Sequence, residues 1–182
     1  MKTLRDMFGK KYMFGHLVCS ASCGIILGAK TLWEAEGMAE VHQALNEIFP
    51  DPALRPQLLI YDLACRRRTF LINHPDALSW AGTHLAVDRF HFTTHKEPAC
   101  LEYCNPERRD NPILWEVDEA GQERFLWNSA IAESNNSFLS ALGPVIKRMP
   151  RVLGTFCLFM NMVVHNELLL AEKLKAKHPL FR

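Results

Sequence analysis

The amino-acid sequence predicts an α/β domain, and the order of its elements is the main reason. A pair of β-rich runs is followed by a helix, a strand, a second helix, a second strand, an irregular stretch and two more helices. The composition agrees, because 48% hydrophobic and 23% charged residues are typical of one soluble globular domain. Since no repeat or linker interrupts the chain, residues 1–182 are interpreted as a single domain.

The first elements are a hairpin and a helix. Residues 16–32 form two β-rich runs around a small-residue turn at Gly24, a pattern typical of a hairpin. Residues 36–49 place apolar side chains three or four positions apart, which predicts a helix with one buried face. Pro50 ends that helix, because proline cannot continue it.

Two apolar strands follow, and each has an aspartate at its end. Residues 57–63 (QLLIYDL) form a short apolar run that contains Asp62, typical of a central strand covered on both faces. Residues 64–73 have a helical pattern, and residues 84–88 (HLAVD) form a second strand that ends at Asp88. This alternation of strand and helix places the chain in the α/β class.

The second half begins with a predicted insertion and continues as helix. Residues 97–123 combine three prolines with many charges, so they are interpreted as an irregular insertion or long loop. The next helix stops before Pro144, and its spacing predicts a buried face made of Trp127, Ile131, Phe138 and Leu142. A last helix is predicted over residues 151–177, with an inner face made of Phe156, Phe159, Met160, Val163 and Val164.

Hydropathy and charge argue against several classes of protein. The longest apolar run, residues 152–164, is shorter than the roughly 20 residues that cross a bilayer, so it predicts a buried helix and no membrane span. No secretory signal is visible, which indicates an intracellular protein with its six cysteines reduced. A net charge of +1 provides no general basic field, so contacts with nucleic acid would depend on local patches.

Two carboxylates are the main candidates for chemistry. Asp62 closes an apolar strand, and we expect it at the open end of the sheet, where α/β proteins bind ligands. A cap on the following helix explains Asp62 equally well. Glu133 shares the polar face of its helix with Ser129, Asn136 and Ser140, which faces either a cleft or simply solvent.

The densest group of potential metal ligands lies between these two carboxylates and consists of Asp88, His91, His95, Cys100 and Cys104. The two histidines are four residues apart, as are the two cysteines, so each pair can point in one direction from a helix. Zinc prefers such ligands, although the spacing fits no strong zinc signature. The alternative interpretation is packing thiols and hydrogen-bonded histidines.

Two short basic clusters are candidate contacts for nucleic-acid phosphates. They are Arg66, Arg67 and Arg68 in one cluster, and Lys147, Arg148 and Arg151 in the other. Both serve that role if they share a face of the molecule. A basic run of this length is otherwise a solvated surface.

The order of several sequence strings resembles a known family. CGIILGAKTLWEAEG is followed by YDLAC, then by DRFHFTTH with Cys100 and Cys104, and then by IAESNNSFL. Over residues 16–164 this succession is similar to the transposase domain of the Kyakuja, Dileera and Zisupton elements. The resemblance implies an RNase H-like core with an acidic triad, in which a YDxAC segment and an AExxNS segment each supply a catalytic carboxylate.

Residue by residue, the resemblance implies catalytic metal-binding roles for Asp62 and Glu133. It places Asp88 and His91, in the DRFH string, close to the active site. The family's chemistry implies magnesium or manganese ions, cleavage and strand transfer of DNA, and a nuclear location. Self-association into an oligomer is compatible with such a domain.

One part of the sequence departs from the family pattern. The family's first aspartate lies on a strand upstream of the hairpin, but the only acidic residue before His16 is Asp6, in LRDMFGKK, which lacks a strand pattern. A triad without one carboxylate is expected to bind metal weakly. The alternatives are a fragment of an active enzyme, or a non-catalytic DNA- or protein-binding module, in one form organised by zinc.

Overall fold

The computed structural model describes residues 15–32 and 37–175, so Asp6 and Lys177 lie outside the described residues. The strands are β1 (Gly15–Ser20), β2 (Ile26–Leu32), β3 (Leu58–Ile60), β4 (His84–Ala86), β5 (Trp115–Val117) and β6 (Glu123–Phe125). The helices are α1 (Met38–Ile48), α2 (Ala64–Ile72), α3 (Arg89–Phe92), α4 (Pro98–Tyr103), α5 (Ile131–Ser140), α6 (Gly143–Ile146) and α7 (Arg151–Lys175). The predicted mixed α/β class is confirmed.

The chain divides into two compact units, each with its own hydrophobic core. The central unit spans Phe49–Ser129 and contains the elements from β3 to β6. The terminal unit combines the chain up to Ile48 with the chain from Ala130 onwards.

The terminal unit is built on the predicted hairpin, which is confirmed. Strands β1 and β2 pair antiparallel, and the turn between them uses Gly24 at a φ of 94°, a conformation that favours glycine. Asn166 on α7 binds both backbone groups of Ile26, since its Oδ1 accepts from the Ile26 N–H at 2.8 Å and its Nδ2 donates to the carbonyl at 2.9 Å. These bonds attach α7 to the hairpin.

The predicted buried face of α5 is wrong. The helix begins at Ile131, four residues after Trp127, and its buried residues are Asn135 and Leu139, whereas Phe138 is 36% exposed. The reason is polar: the Asn135 amide donates to Ser20 Oγ at 2.7 Å and to the Gly24 carbonyl at 3.0 Å. Because of these bonds Asn135 faces the hairpin and is buried. The buried face of α5 therefore differs from the one that the apolar spacing predicted.

The predicted inner face of α7 is also wrong. Its buried residues are Gly154, Leu158 and Met162, and more than half of the side chains of Phe156 and Phe159 is exposed. Apolar residues surround most of this helix, so their spacing does not select one face. By length and composition alone α7 is also suited to cross a membrane, and only 11% of its apolar window is buried.

The central unit contains a short parallel sheet. Strand β3 pairs with β4 in parallel, with Leu58 opposite His84 and Ile60 opposite Ala86. Helix α2 and a 3₁₀ segment, Pro75–Trp80, connect the two strands, as a parallel pair requires a crossover. The strands predicted at residues 57–63 and 84–88 and the helix at 64–73 are therefore present, with shorter strands. The prediction that the first strand is a central strand covered on both faces is wrong, because β3 belongs to a two-stranded sheet and its residues are half-buried.

The segment predicted as an irregular insertion contains regular structure. Helix α4 lies within residues 97–123, and β5 pairs antiparallel with β6 through a turn at Gly121, whose φ is 76°. Trp115 anchors this hairpin, because its indole N–H donates to the Pro106 carbonyl at 2.8 Å and its ring packs edge-on against Phe125. Strands of three residues are too short to show an alternating pattern in the sequence.

Candidate functional site

Two aspartates leave the parallel sheet at the same edge. Because Ile60 lies opposite Ala86, Asp62 and Asp88 each follow their strand by two residues and occupy equivalent positions. The carboxyl ends of parallel strands are where α/β proteins bind ligands. The N-cap position of α2 is Leu63 rather than Asp62, which leaves the ligand-site interpretation of Asp62 as the better one.

His91 joins the two aspartates into one cluster. Its Nδ1 lies 3.1 Å from Asp62 Oδ1 and 2.9 Å from Asp88 Oδ2. One ligand atom from each of the three residues lies within 4.8 Å of the others, a spacing that allows them to hold a single metal ion. We call these three residues the acidic cluster.

Asp88 carries the strongest sign that the acidic cluster binds a cation. Its side chain is 13% exposed, and its Oδ1 is buried without a hydrogen-bond donor in the described part of the chain. Asp88 is also the N-cap residue of α3, yet its side chain makes no capping bond there. A buried carboxylate oxygen without a donor is costly, and a hard cation such as Mg²⁺ would satisfy it.

Glu133 belongs to a different compact unit of the chain from the acidic cluster. It is exposed in the first turn of α5, where a negative charge favours the helix dipole. Glu133 belongs to the terminal unit and Asp62 to the central unit. The pairing of these two carboxylates at one metal site therefore stays a prediction.

A second cluster contains sulfur. Cys65 Sγ lies 3.5 Å from His95 Nδ1, and Cys65, His95 and Cys100 each place a ligand atom within 4.8 Å of the others. The sequence pointed to His95 and Cys100, but missed Cys65. Cys104 is completely buried in the same hydrophobic cluster as Cys65 and Cys100. Cys65 follows Asp62 by three residues in the YDLAC string, which was the available signal.

Burial controls the protonation of these thiols. Burial raises the pKa of Cys100 to about 12, with a hydrogen bond to Cys65 adding to the effect. Burial likewise raises the pKa of Cys104 to about 11. Both thiols are therefore protonated at neutral pH unless a metal ion displaces the protons.

One of the predicted phosphate contacts is wrong. Arg67 is completely buried, and its guanidinium carbon lies 4.6 Å from the centre of the Trp80 ring. Burial lowers the pKa of Arg67 to about 10. A side chain without exposed surface does not reach DNA, so Arg67 is a packing residue.

The other basic residues remain accessible to different degrees. Arg66 is exposed, and Arg68 is half-buried with its guanidinium 3.7 Å from the centre of the Tyr103 ring. In the terminal unit, Lys147 and Arg148 line a pocket of about 730 Å³ together with His16. The predicted contacts thus form two separate sets, one in each unit.

A histidine in the parallel sheet predicts sensitivity to acid. His84 Nε2 lies 2.9 Å from the Asn111 amide nitrogen, which donates only to a neutral ring. Burial, and then the charge of Arg108, lowers the pKa of His84 below its ordinary value of 6.5. The unfolded chain therefore binds the proton more readily, and the free energy of unfolding should fall as the pH drops below about 6.5.

Urea unfolding between pH 7.5 and pH 5 checks this expectation. His84→Gln should show a smaller loss of stability over that range than the unchanged chain. An identical pH dependence in both proteins would contradict the role assigned to His84.

Comparisons with known proteins found no match to this chain. No protein-family model matches the chain, and no curated protein or solved structure matches it significantly.

Proposed function

We propose that this chain is a transposase-derived, RNase H-like domain whose acidic cluster holds a divalent cation for the cleavage of DNA phosphodiesters. The observation that carries the proposal is the meeting of Asp62, Asp88 and His91 at the carboxyl edge of a parallel strand pair. The order of the YDLAC, DRFHFTTH and IAESNNSFL strings, on which the family resemblance rests, also supports it. Carboxylate oxygens are the ligands that Mg²⁺ and Mn²⁺ prefer.

In this proposal the two aspartates bind the ion and His91 positions them. The His91 ring contacts one oxygen of each carboxylate, which fixes the distance between them and leaves Asp88 Oδ1 for the ion. Magnesium or manganese would supply activation of water and stabilisation of the leaving oxygen. The resemblance also implies a catalytic role for Glu133, which stays a prediction from the sequence.

The test is cleavage of duplex DNA with Mg²⁺ by this chain, alone and joined to any residues encoded before Met1. We expect cleavage by the extended chain that requires Mg²⁺ or Mn²⁺ and disappears in Asp62→Asn, and little or no cleavage by this chain alone. DNA processing that is unchanged by Asp62→Asn would contradict the proposal, as would an extended chain that binds no divalent ion.

A second candidate function is a non-catalytic module that binds DNA in the nucleus. The absence of a strand-like segment around Asp6 in the sequence favours it, and Arg66, Lys147 and Arg148 supply the charges. In this form DNA binding needs no metal and weakens as salt increases, because binding releases counterions from the phosphates. A lack of DNA binding even at low salt would exclude it.

We also propose that the chain associates with itself, which is compatible with either function. Helix α7 exposes several large apolar side chains, and apolar patches of this kind commonly mark surfaces that bind a partner. Sedimentation of the purified chain over a range of concentrations would show whether it associates with itself.

A further inference from the structure

We propose that Cys65, His95, Cys100 and Cys104 form a structural zinc site, separate from the acidic cluster and independent of whether that cluster cleaves DNA. This ligand set differs at two residues from the zinc candidates that the sequence suggested. His91, which the sequence grouped with the zinc candidates, lies against Asp62 and Asp88 instead. Cys65, which the sequence did not include, takes the place beside His95 and Cys100.

The geometry of three ligands is already close to that of a bound site. The 3.5 Å between Cys65 Sγ and His95 Nδ1 is the separation of two ligands that share one tetrahedral zinc ion, since zinc lies about 2.0–2.3 Å from nitrogen and sulfur. A ligand atom of Cys100 lies within 4.8 Å of both. Small side-chain rotations would bring the three onto one ion.

Cys104 is the proposed fourth ligand, although it lies outside the group of three residues whose ligand atoms are within 4.8 Å of one another. It follows Cys100 by one helical turn, and its backbone N–H donates to the Cys100 carbonyl at 3.2 Å. It is fully buried in the same cluster as Cys65 and Cys100. Three cysteines and one histidine are an established ligand set for structural zinc.

The surroundings suit an ion of this kind. A pocket of about 260 Å³ is lined by Cys65, His95 and Cys100 together with Arg66 and Lys96, and it provides a path for the ion from solvent. Three thiolates and one imidazole around Zn²⁺ carry a net negative charge. The nearby cations are Arg66, Arg68 and Lys96, and they outweigh both this charge and that of Glu97, which lines the same pocket.

The position of the proposed zinc site in the chain indicates a structural role for the ion. Cys65 lies three residues after Asp62, and His95 lies four residues after His91. Zinc bound to both would join the segment that follows β3 to the segment that follows β4. These are the two segments that carry the acidic cluster, so the zinc would fix their separation.

Metal analysis of the whole chain, purified with a thiol reductant and equilibrated with Zn²⁺, tests the site. We expect one tightly bound zinc per chain in the unchanged protein, and loss of most of it in Cys65→Ser and in Cys100→Ser. Cys157→Ser removes a thiol on α7, outside the site, and should keep the full amount. Asp88→Asn should also keep it, which separates this site from the acidic cluster.

If the variants do not fold, binding of Co²⁺ to the unchanged chain provides the test. Co²⁺ bound to the unchanged chain should show sulfur-to-cobalt charge transfer and the intense visible absorption of a tetrahedral site. A reduced, unchanged chain that binds neither ion would overturn the proposal. So would equal zinc content in Cys65→Ser and Cys157→Ser.

Discussion

Replacing Asp88 by asparagine is expected to weaken the binding of Mn²⁺ to the chain by at least about 10- to 100-fold, a loss typical of damage to a metal site. The reason is that Asp88 holds the cluster's buried oxygen without a donor and also anchors His91 at 2.9 Å. The amide has nearly the same shape, but it carries no charge for the cation. Titration of the chain with Mn²⁺, followed by calorimetry or by electron paramagnetic resonance, measures the change.

Asp110→Asn is the matched control for this experiment. Asp110 is an exposed carboxylate of the same unit that pairs with Arg108 at 2.6 Å and is not one of the three residues of the acidic cluster. The substitution removes the same charge, so it should change Mn²⁺ affinity only slightly. Equal losses of Mn²⁺ affinity in Asp88→Asn and Asp110→Asn would mean that binding depends on the net charge of the chain rather than on the acidic cluster.

The second large effect is expected from Trp80→Ala, which should lower the free energy of unfolding by about 3–5 kcal/mol. Trp80 is 3% exposed, and the guanidinium carbons of Arg55 and Arg67 lie 4.3 and 4.6 Å from the centre of its ring. Removal of the indole leaves a cavity and strips the buried Arg67 of its aromatic contact. The measurement is urea unfolding at pH 7.

Leu78→Ala provides the control in the same 3₁₀ segment. Leu78 is 89% exposed, so its truncation should change stability by no more than about 0.5 kcal/mol. If Trp80→Ala were as mild as Leu78→Ala, the core assigned to the central unit would be wrong.

The sequence predicted those parts of the fold that depend on neighbouring residues. The hairpin around Gly24 and the elements from β3 to β4 follow from local turn and periodicity signals. The edge of the parallel sheet that carries the acidic cluster was also predictable, because an aspartate follows each apolar strand. Parallel pairing then brings Asp62 and Asp88 together.

The sequence failed where distant contacts decide the outcome. Asn135 points inwards because the hairpin supplies its hydrogen-bond partners, more than 100 residues away along the chain. Arg67 is buried because Trp80 and the surrounding core cover it, although its neighbour Arg66 remains exposed. No local pattern distinguishes these two arginines.

The same limit applies to the proposed metal ligands. His91 and His95 have the spacing of one helical turn, yet they serve different clusters, because each faces a different segment of the chain. Cys65 joins His95 across 30 positions of sequence. Such a pairing depends on the β3–α2–β4 crossover and is invisible to spacing rules.

Anomalous diffraction from crystals of the chain soaked in Mn²⁺ tests the central claim most directly. We predict a manganese peak bound to Asp88 Oδ1 and to the Asp62 carboxylate, with His91 retaining its contact to at least one of them. Manganese located only at other carboxylates, with the acidic cluster empty at saturating Mn²⁺, would contradict the assignment.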